Sequence, residues 1–502
     1  MNVAQESRRC FRAPLVLALC MLVTNGPTAI AGSPNVHVNQ SQDRPCVLVM
    51  MADNWAWPHA SALGDSVVRT PTFDHLASNG VVFDNAFCLC PSCAPARAAF
   101  LTGQTIHRLD DAANLHGRFP AEIEVFPEAL EKAGYHVGFS GKGWAPGRIE
   151  ESGRTRNPAG EKYADAEAFL NALPSDQPFF YWYSSRNPHI PWQDGEQMKA
   201  EMNPKDVRVP QYLPDVPLVR DNICDYLCEV QLFDQECAQI LEQFERAGRL
   251  SNTLVIMTGD NGWQMPHGLA HIYDAGTRVP LVMSWPGKIE EGIRTQDFVN
   301  FDDFAPTFME LAGLKPGNQC TGHSLLPAMQ QDPHRQVRDY VFLSRERHAN
   351  VRRGDRSYPV RALRTRDFLF VRNFEPELWP AGDPEVYHSV GDYGDVDFTW
   401  TKQFILQHQH EPAIRPFFTM NFSKRPSEEL YDLRIDPDQT INVIDQPDLS
   451  DVRRQLSGRL EEWMNQTADP RSRNPHDNRW DKAPYYGGKA NNNQIPKKRP
   501  RD

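Results

Sequence analysis

Three short stretches carry side chains with chemistry to offer. The first runs Cys88 to Gln104, CLCPSCAPARAAFLTGQ. Cys93 stands two residues before Pro95 and four before Arg97. Pro95 suits a first helical turn, where its missing N–H would have no partner anyway. Strong helix formers follow it, so a helix is predicted from near Cys93 to a stop at Gly103. That geometry sets a sulfur at a helix N-terminus, where orphan N–H groups favour an anion. Arg97 lies about one turn on and can fork two donors toward a tetrahedral oxyanion. A nucleophile, a helix start and an arginine suit chemistry on phosphate or sulfate; a buried structural cysteine is the simpler alternative. The other two stretches are Asp53-Asn54 and Asp260-Asn261, each ending an apolar run. Carboxylate and amide oxygens without imidazole suit a hard cation, Ca²⁺ or Mg²⁺. Taken singly, each pair also reads as a turn.

These residues need elements to position them. Cys46–Met51 (CVLVMM) is an unalternating apolar run of strand length, the pattern of a strand buried on both faces of a parallel sheet. Gly80–Phe83, His136–Ser140, Pro178–Ser184, Thr253–Thr258 and Pro280–Trp285 read as further strands. Helices are predicted over Asp74–Asn79, Glu128–Ala133, Tyr163–Leu173 and Ile223–Ala247, the last with apolar residues at helical spacing and a stop at Gly248. Alternating strands and helices predict an α/β domain with a mostly parallel sheet sandwiched by helices. Polar residues repeatedly follow the strands: Asp53-Asn54, Lys142, His189 and Asp260-Asn261. In open α/β sheets ligands bind at the carboxyl ends of the strands, so these residues are expected on one edge. Gly141-Lys142-Gly143-Trp144 is not a phosphate-binding loop, because Gly143 stands where Ser or Thr is needed.

The chain has 502 residues, 40% hydrophobic and 24% charged, with a formal charge of −12. That charge disfavours nucleic acid, and any anionic substrate must be met by local Arg and Lys. Arg8, Arg9 and Arg12 precede an apolar run, Ala13–Val23, with small residues at Ala29-Ile30-Ala31, so residues 1–31 read as a secretory signal peptide. Export to the periplasm or outside the cell follows, with no stable membrane insertion, since no later stretch is long and apolar enough to span. The mature chain keeps Cys46, Cys88, Cys90, Cys93, Cys224, Cys228, Cys237 and Cys320; Cys88, Cys90 and Cys93 lack the paired spacing of a zinc site. A catalytic domain is predicted over 45–333. A smaller α+β domain is predicted over 334–470, with a hairpin at Val360–Asn373, a strand and turn at Glu429–Asn442, and a helix over Asp451–Asn465. A Gly/Asn/Lys/Pro-rich tail, 485–502, is expected to be disordered.

CAPARAAFLTG resembles the signature of the sulfatase family, Cys-x-Pro-x-Arg followed by a helix and Leu-Thr-Gly. MADN, SGKG, NPH, GDNG and YDAGTRVPL (Tyr273–Leu281) match neighbouring family motifs in order, from about Pro45 to ELYDLRIDPDQ. The pattern is most similar to the branch containing heparan N-sulfatase. The resemblance implies an alkaline-phosphatase-like α/β fold. It implies that a maturation enzyme oxidises Cys93 to formylglycine, whose hydrate attacks the sulfur of a sulfate ester, releases the alcohol and then expels sulfate. It also implies that Asp53, Asn54, Asp260 and Asn261, with the modified Cys93, hold Ca²⁺, that Arg97 and Lys142 neutralise the transferring group, and that His189 contacts sulfate or protonates the leaving oxygen. The substrate class implied is a sulfated glycan, cleaved at sulfate esters or sulfamates. Phosphodiesterase or phosphonate hydrolase activity on the same fold is the alternative, and a weakly catalytic glycan-binding homologue is another.

Four positions depart from the family pattern. Asn54 stands where Asp is commoner, which removes one negative charge from the metal site. Trp144 stands where a histidine is usual after Lys142. Leu269 replaces a basic residue four before Tyr273, and the flanking His267 and His271 are candidates for substrate binding in its place. Ala96 stands where Ser is common. Arg154, Arg156 and Arg186 lie near the expected edge and are candidates for sugar carboxylates or further sulfates.

Overall fold

Cys46–Ala52 (β1) is buried from Val47 onward because it lies inside an eight-stranded sheet with both faces covered. Val47, Val49 and Met51 face one apolar core, and Leu48, Met50 and Ala52 the other. Period-two alternation thus puts apolar residues on both sides, which is why the run shows no polar beat. The structure is a computed structural model that describes residues 44–192, 199, 201–330, 338–387 and 391–488. The expected leader, 1–31, lies outside these residues, as does all but Tyr485–Gly488 of the expected tail. Tyr486 is docked, its N–H donating to the His116 carbonyl at 2.9 Å.

Along the chain come α1 (Pro71–Ser78), β2 (Val81–Phe87), α2 (Cys93–Thr102), α3 (Phe126–Lys132), β3 (His136–Gly141), β4 (Glu161–Lys162), α4 (Ala166–Ala172), β5 (Phe179–Ser184), α5 (Pro217–Arg246), β6 (Thr253–Gly259), β7 (Leu281–Ser284), β8 (Ile293–Asn300) and α6 (Phe304–Leu311). The strand order is β4-β3-β5-β1-β6-β7-β2-β8. All pairs are parallel except those made by β7, which runs antiparallel to β6 and β2. Helices α2, α3 and α6 cover one face, and α1 and α5 the other. The fold is alkaline-phosphatase-like α/β with a smaller antiparallel sheet.

Of the boundaries that differ from the sequence expectation, three have a clear local reason. β2 runs on to Phe87, not Phe83, because Asp84 and Asn85 are satisfied within the sheet by Arg294, Gln296 and Arg278 across a bulge. α4 starts at Ala166, not Tyr163: the Asp165 carboxylate caps the Ala168 N–H at 2.8 Å, while the Tyr163 N–H is spent on Phe139. α5 starts six residues earlier than expected, at Pro217, with proline in its first turn, where the polar residues Arg220 to Asn222 hide the helical period.

The second sheet, β12-β11-β10-β9, is antiparallel and comprises β9 (Tyr340–Arg345), β10 (Val360–Thr365), β11 (Phe368–Asn373) and β12 (Glu428–Asp432). One face packs under the helix Ser450–Gln466 through Leu456, Leu460 and Met464. The other meets Phe87 and Phe298 at the edge of the large sheet. This brings the segment after β9 beside the start of α2, with Ser344 N–H donating to Leu89 and Leu115 N–H to Arg347.

Phe100 anchors α2. Its ring lies 5.0 Å from that of Trp182, 5.1 Å from Phe304, 5.7 Å from Phe126 and 5.8 Å from Phe308. Phe100→Ala should destabilise the fold by about 3–5 kcal/mol, read by denaturant unfolding; a loss under ~1 kcal/mol would show that α2 is held by something else.

The turn leading into α6 carries a buried acid pair, Asp302 and Asp303. Asp303 accepts from Asn300, His323 and Arg338. Asp302 has Thr321 Oγ1 at 2.7 Å, and burial followed by Asp303 pushes its carboxyl up to about 7. In the unfolded chain it ionises at about 4. The fold therefore binds a proton that the unfolded chain releases, and stability falls as pH rises from about 4 to about 7. Asp302→Asn should be more stable than the parent at pH above that window and equal to it below; a constant difference across pH would contradict the assignment.

Candidate active site

Four neighbouring strands end together. Gly141 of β3 is in register with Ser184 of β5, Ser184 with Met51 of β1, and Ala52 with Gly259 of β6. The next residues on each strand therefore emerge on one edge: Lys142, Asp53-Asn54 and Asp260-Asn261, with His189 on the loop after β5. Backbone hydrogen bonds tie these exits together, Asp53 N–H to Asn187 at 2.9 Å, Lys142 N–H to Ser184 at 2.9 Å and Asp260 N–H to Ala52 at 3.1 Å.

Asn54 adopts a left-handed backbone, φ 73°, which Asn tolerates better than most residues. Its N–H donates to Asp260 Oδ1 at 2.9 Å and its Nδ2 to the Gly262 carbonyl at 3.1 Å, so Oδ1 is turned toward Cys93, 3.8 Å from Sγ. Tyr226 on α5 braces the turn, its hydroxyl donating to Asn54 O at 3.1 Å and accepting from Ala56 N–H at 3.0 Å. Asn261 Nδ2 also donates to Gly262 O, at 3.0 Å. Position 262 admits only glycine, since a Cβ there would lie 1.9 Å from the Ala275 carbonyl oxygen.

Cys93 opens α2 and is 4% exposed. Its Sγ lies 3.3 Å from Asp53 Oδ1, and Asp53, Cys93 and Asp260 offer ligand atoms all within 4.8 Å of one another. Arg97 is fully buried: Nε donates to Asp260 Oδ2 at 2.8 Å, and Nη1 to Gly143 O at 2.8 Å and to Ser184 Oγ. Its Nη2 is buried with no partner among the described residues. Lys142 Nζ donates to Asp53 Oδ2 at 2.6 Å. His189 is half-buried, with Nδ1 2.6 Å from Ile190 O.

The electrostatics follow from burial and these pairings. Burial pushes the Asp53 carboxyl up, but Lys142, His189 and Arg97 together outweigh it and hold it below the usual carboxylate range. Burial dominates at Asp260, whose pKa is raised despite Arg97. Burial and then Asp53 push the Cys93 thiol well above its ordinary value, the opposite of what a thiolate nucleophile requires.

The residues fit a hard cation. The Asn261 Oδ1 oxygen is buried and has no donor among the described residues, an acceptor cost that a cation would remove. The Asp53 and Asp260 carboxylates gather with the Cys93 sulfur, and Asn54 Oδ1 lies 3.8 Å from that sulfur; carboxylate and amide oxygens of this kind are donors that Ca²⁺ takes.

Other expected residues lie elsewhere. The substrate contact expected of His267 is corrected: it is 1% exposed and its ring is sandwiched between Tyr273 at 4.1 Å and Tyr212 at 4.6 Å. Burial drives its pKa down, so it offers no charge. His271 is 3% exposed, with burial and Arg345 lowering its pKa to about 3; it too is neutral and cannot replace a basic residue at Leu269. Arg154 and Arg156 are paired with Glu128 and Glu131 on α3, while Arg186 is exposed. Trp144 is buried against Phe119, and its Nε1 donates to the Ala94 carbonyl at 3.0 Å. It braces the first turn of α2 and does no proton chemistry. Ser184 and Gly143, which hold Arg97, escaped sequence reasoning because a strand-end serine and a glycine carbonyl carry no motif.

Comparison with known proteins agrees with this geometry. The Sulfatase family model matches residues 45–314, more than half the chain. The chain belongs to the sulfatase family. Its class is therefore sulfuric ester hydrolase. A second model, N-sulphoglucosamine sulphohydrolase, C-terminal, matches residues 262–394. The chain is 27% identical over 474 residues to N-sulphoglucosamine sulphohydrolase of Homo sapiens, covering 84% of this chain and 90% of that protein. It is 25% identical to an ulvan-active sulfatase of Formosa agariphila, over 85% of this chain and 76% of that one. A solved structure in complex with its substrate, D-glucosamine-2-N,6-O-disulfate, superposes with TM-score 0.61 at 19% identity, covering 85% of this chain and 98% of that one.

Calcium should raise the thermal midpoint of this sulfatase, because it would engage Asn261 and the two carboxylates. Asn54→Asp restores a ligand charge and should tighten calcium binding roughly tenfold by calorimetry. No calcium-dependent shift in either protein would remove the metal site.

Proposed function

We propose that this sulfatase removes sulfate from a sulfated glycan, with N- or O-sulfated glucosamine of the heparan type as the sugar recognised. The observation that carries the reading is the placement of Cys93: buried at a helix start, 3.3 Å from Asp53, with burial and Asp53 pushing its thiol well above the ordinary value. A residue so placed serves the reaction only after conversion to formylglycine by a maturation enzyme, and the family resemblance supplies that conversion. The match to the C-terminal region of N-sulphoglucosamine sulphohydrolase and the human relative support the choice of sugar. Export through a signal peptide at 1–31 accompanies the proposal. No helix of the described residues is long and apolar enough to cross a membrane.

Asp53, Asn54, Asp260 and Asn261 would hold Ca²⁺ together with the modified Cys93. The ion supplies polarisation of a sulfate oxygen, and the aldehyde hydrate supplies the nucleophilic oxygen. The chain's own residues do the rest. Arg97 is locked on three sides, by Asp260, Gly143 and Ser184, so its orphan Nη2 is preorganised to meet charge developing on the transferring group. Lys142 holds Asp53 ionised, and its remaining N–H donors are available to a sulfate oxygen. At His189, Nδ1–H is committed to Ile190 O, leaving Nε2 toward the leaving group, where the imidazolium form would give its Nε2 proton to the departing oxygen or nitrogen. The Ile190 N–H to Gln264 bond at 2.8 Å and the Asn187–Glu236 bond at 2.9 Å keep that loop in place.

Arg97→Ala should lower kcat/KM for sulfate release by about 10²–10⁴. Arg97→Lys should not recover it, because an ammonium lacks the planar fork by which Arg97 meets Asp260, Gly143 and Ser184 and still presents Nη2. Formylglycine occupancy of each variant, read by mass spectrometry, separates lost chemistry from lost conversion. Near-parent activity in fully converted Arg97→Ala would show that the site is misplaced.

A further inference from the structure

Ser92 is the N-cap residue of α2, and serine is among the best capping residues. Its hydroxyl makes no capping bond. It lies instead 2.8 Å from Nδ1 of His348, a residue of the loop after β9 that approaches from the smaller sheet. Ser92 is 1% exposed and no other acceptor for its hydroxyl proton is found among the described residues. The hydroxyl therefore donates to Nδ1, which fixes the imidazole with its proton on Nε2. Nε2 has no hydrogen-bond partner among the described residues. The chain thus gives up a helix cap beside its catalytic position to hold one histidine in one tautomer with a donor left over.

The surroundings of His348 are those of a sugar site. Asp397 is half-buried and takes Gln264 Nε2 at 2.5 Å on Oδ2, leaving Oδ1 without a partner among the described residues. Gln264 in turn holds Ile190, next to His189. The Ala349 N–H, next to His348, donates to Asp395 Oδ1 at 3.0 Å, two residues before Asp397. His348 thus stands, through Ser92, one residue from Cys93, and Asp397 is tied through Gln264 and Ile190 to the loop of His189. Neutral N–H donors paired with carboxylate acceptors are what sugar hydroxyls require.

We propose that His348 and Asp397 form the sugar-binding face of this site, with His348 Nε2–H donating to an oxygen of the sulfated sugar and Asp397 Oδ1 accepting from one of its hydroxyls. This assignment rests on the sulfated-glycan reading and adds the residues that select the sugar. It also says what stands in for the basic residue missing at Leu269: a neutral donor and an acceptor, which read the sugar ring and leave sulfate to Arg97 and Lys142. Burial and Arg345 hold the His348 pKa at about 4, although Asp395 and Asp397 oppose them, so the donor is present throughout neutral pH.

The test is equilibrium binding to full-length protein made without the maturation enzyme, so that Cys93 remains a thiol and ligands are not turned over. Calorimetry with calcium present compares N,6-O-disulfated glucosamine with nitrophenyl sulfate, which has the sulfate and no sugar. His348→Ala should reduce selectivity for the sugar over the aryl sulfate roughly tenfold, Asp397→Asn should reduce it less, and His348→Gln, which keeps a donor, should recover most of it. Ser92→Ala should fall between, because it frees the tautomer. Thermal unfolding identifies any variant that fails to fold, and if His348→Ala is one, Asp397→Asn carries the comparison. Unchanged selectivity in folded His348→Ala or in Asp397→Asn would overturn the sugar-binding face while leaving the sulfatase reading intact. Failure of the parent to bind either compound would overturn the glycan reading itself, and the sugar-binding face with it.

Discussion

Two carboxylates buried side by side at the edge of a sheet are the constraint to which the rest of this molecule answers. Asp53 and Asp260 are 2% and 0% exposed, and isolated charges at such depth are strongly disfavoured. Arg97 and Lys142 neutralise them pair for pair. A divalent cation bound to the same oxygens would leave the site with two excess positive charges, which suits an anionic sulfate group. Aspartate at position 54 would halve that excess. With such a cation bound, Asn54 would trade metal affinity for attraction to the substrate, one atom shifting both properties in opposite directions.

The charges stay in place because the scaffold has little freedom. Register between four parallel strands sets their exits level, and a one-residue slip would turn every side chain to the opposite face. The aromatic packing of Phe100 fixes α2 on that sheet. Trp144 and the loop carrying Ala270 then grip the turn before it, through Ala94 O and Pro91 O. Cys93 sits between rigid elements, as a precisely placed reacting group must.

Much of this was legible in the sequence, for physical reasons that differ by element. Strands buried on both faces have unbroken apolar runs, so β1, β5 and β6 could be read directly, and the polar residues that follow them marked the functional edge. β2 was read short because Asp84 and Asn85 look like a turn until Arg294 and Gln296 are brought from a strand about 210 residues away. His267 and His271 looked available because they sit near a family motif; only packing shows that Tyr212 and Tyr273 enclose one and that burial neutralises the other. His348 and Asp397 lie far from every motif, and no local pattern announces them. Their role depends on a contact between the smaller sheet and the start of α2, a long-range relation that spacing cannot encode.

The mass of the peptide containing Cys93, taken from protein coexpressed with a formylglycine-generating enzyme and paired with sulfate release from a sulfated glucosamine saccharide, bears most directly on the central claim. The site described here predicts conversion of the thiol to the aldehyde, with release tracking the converted fraction. Sulfate release by protein whose Cys93 remains a thiol would contradict it, as would full conversion with no release from any sulfated saccharide.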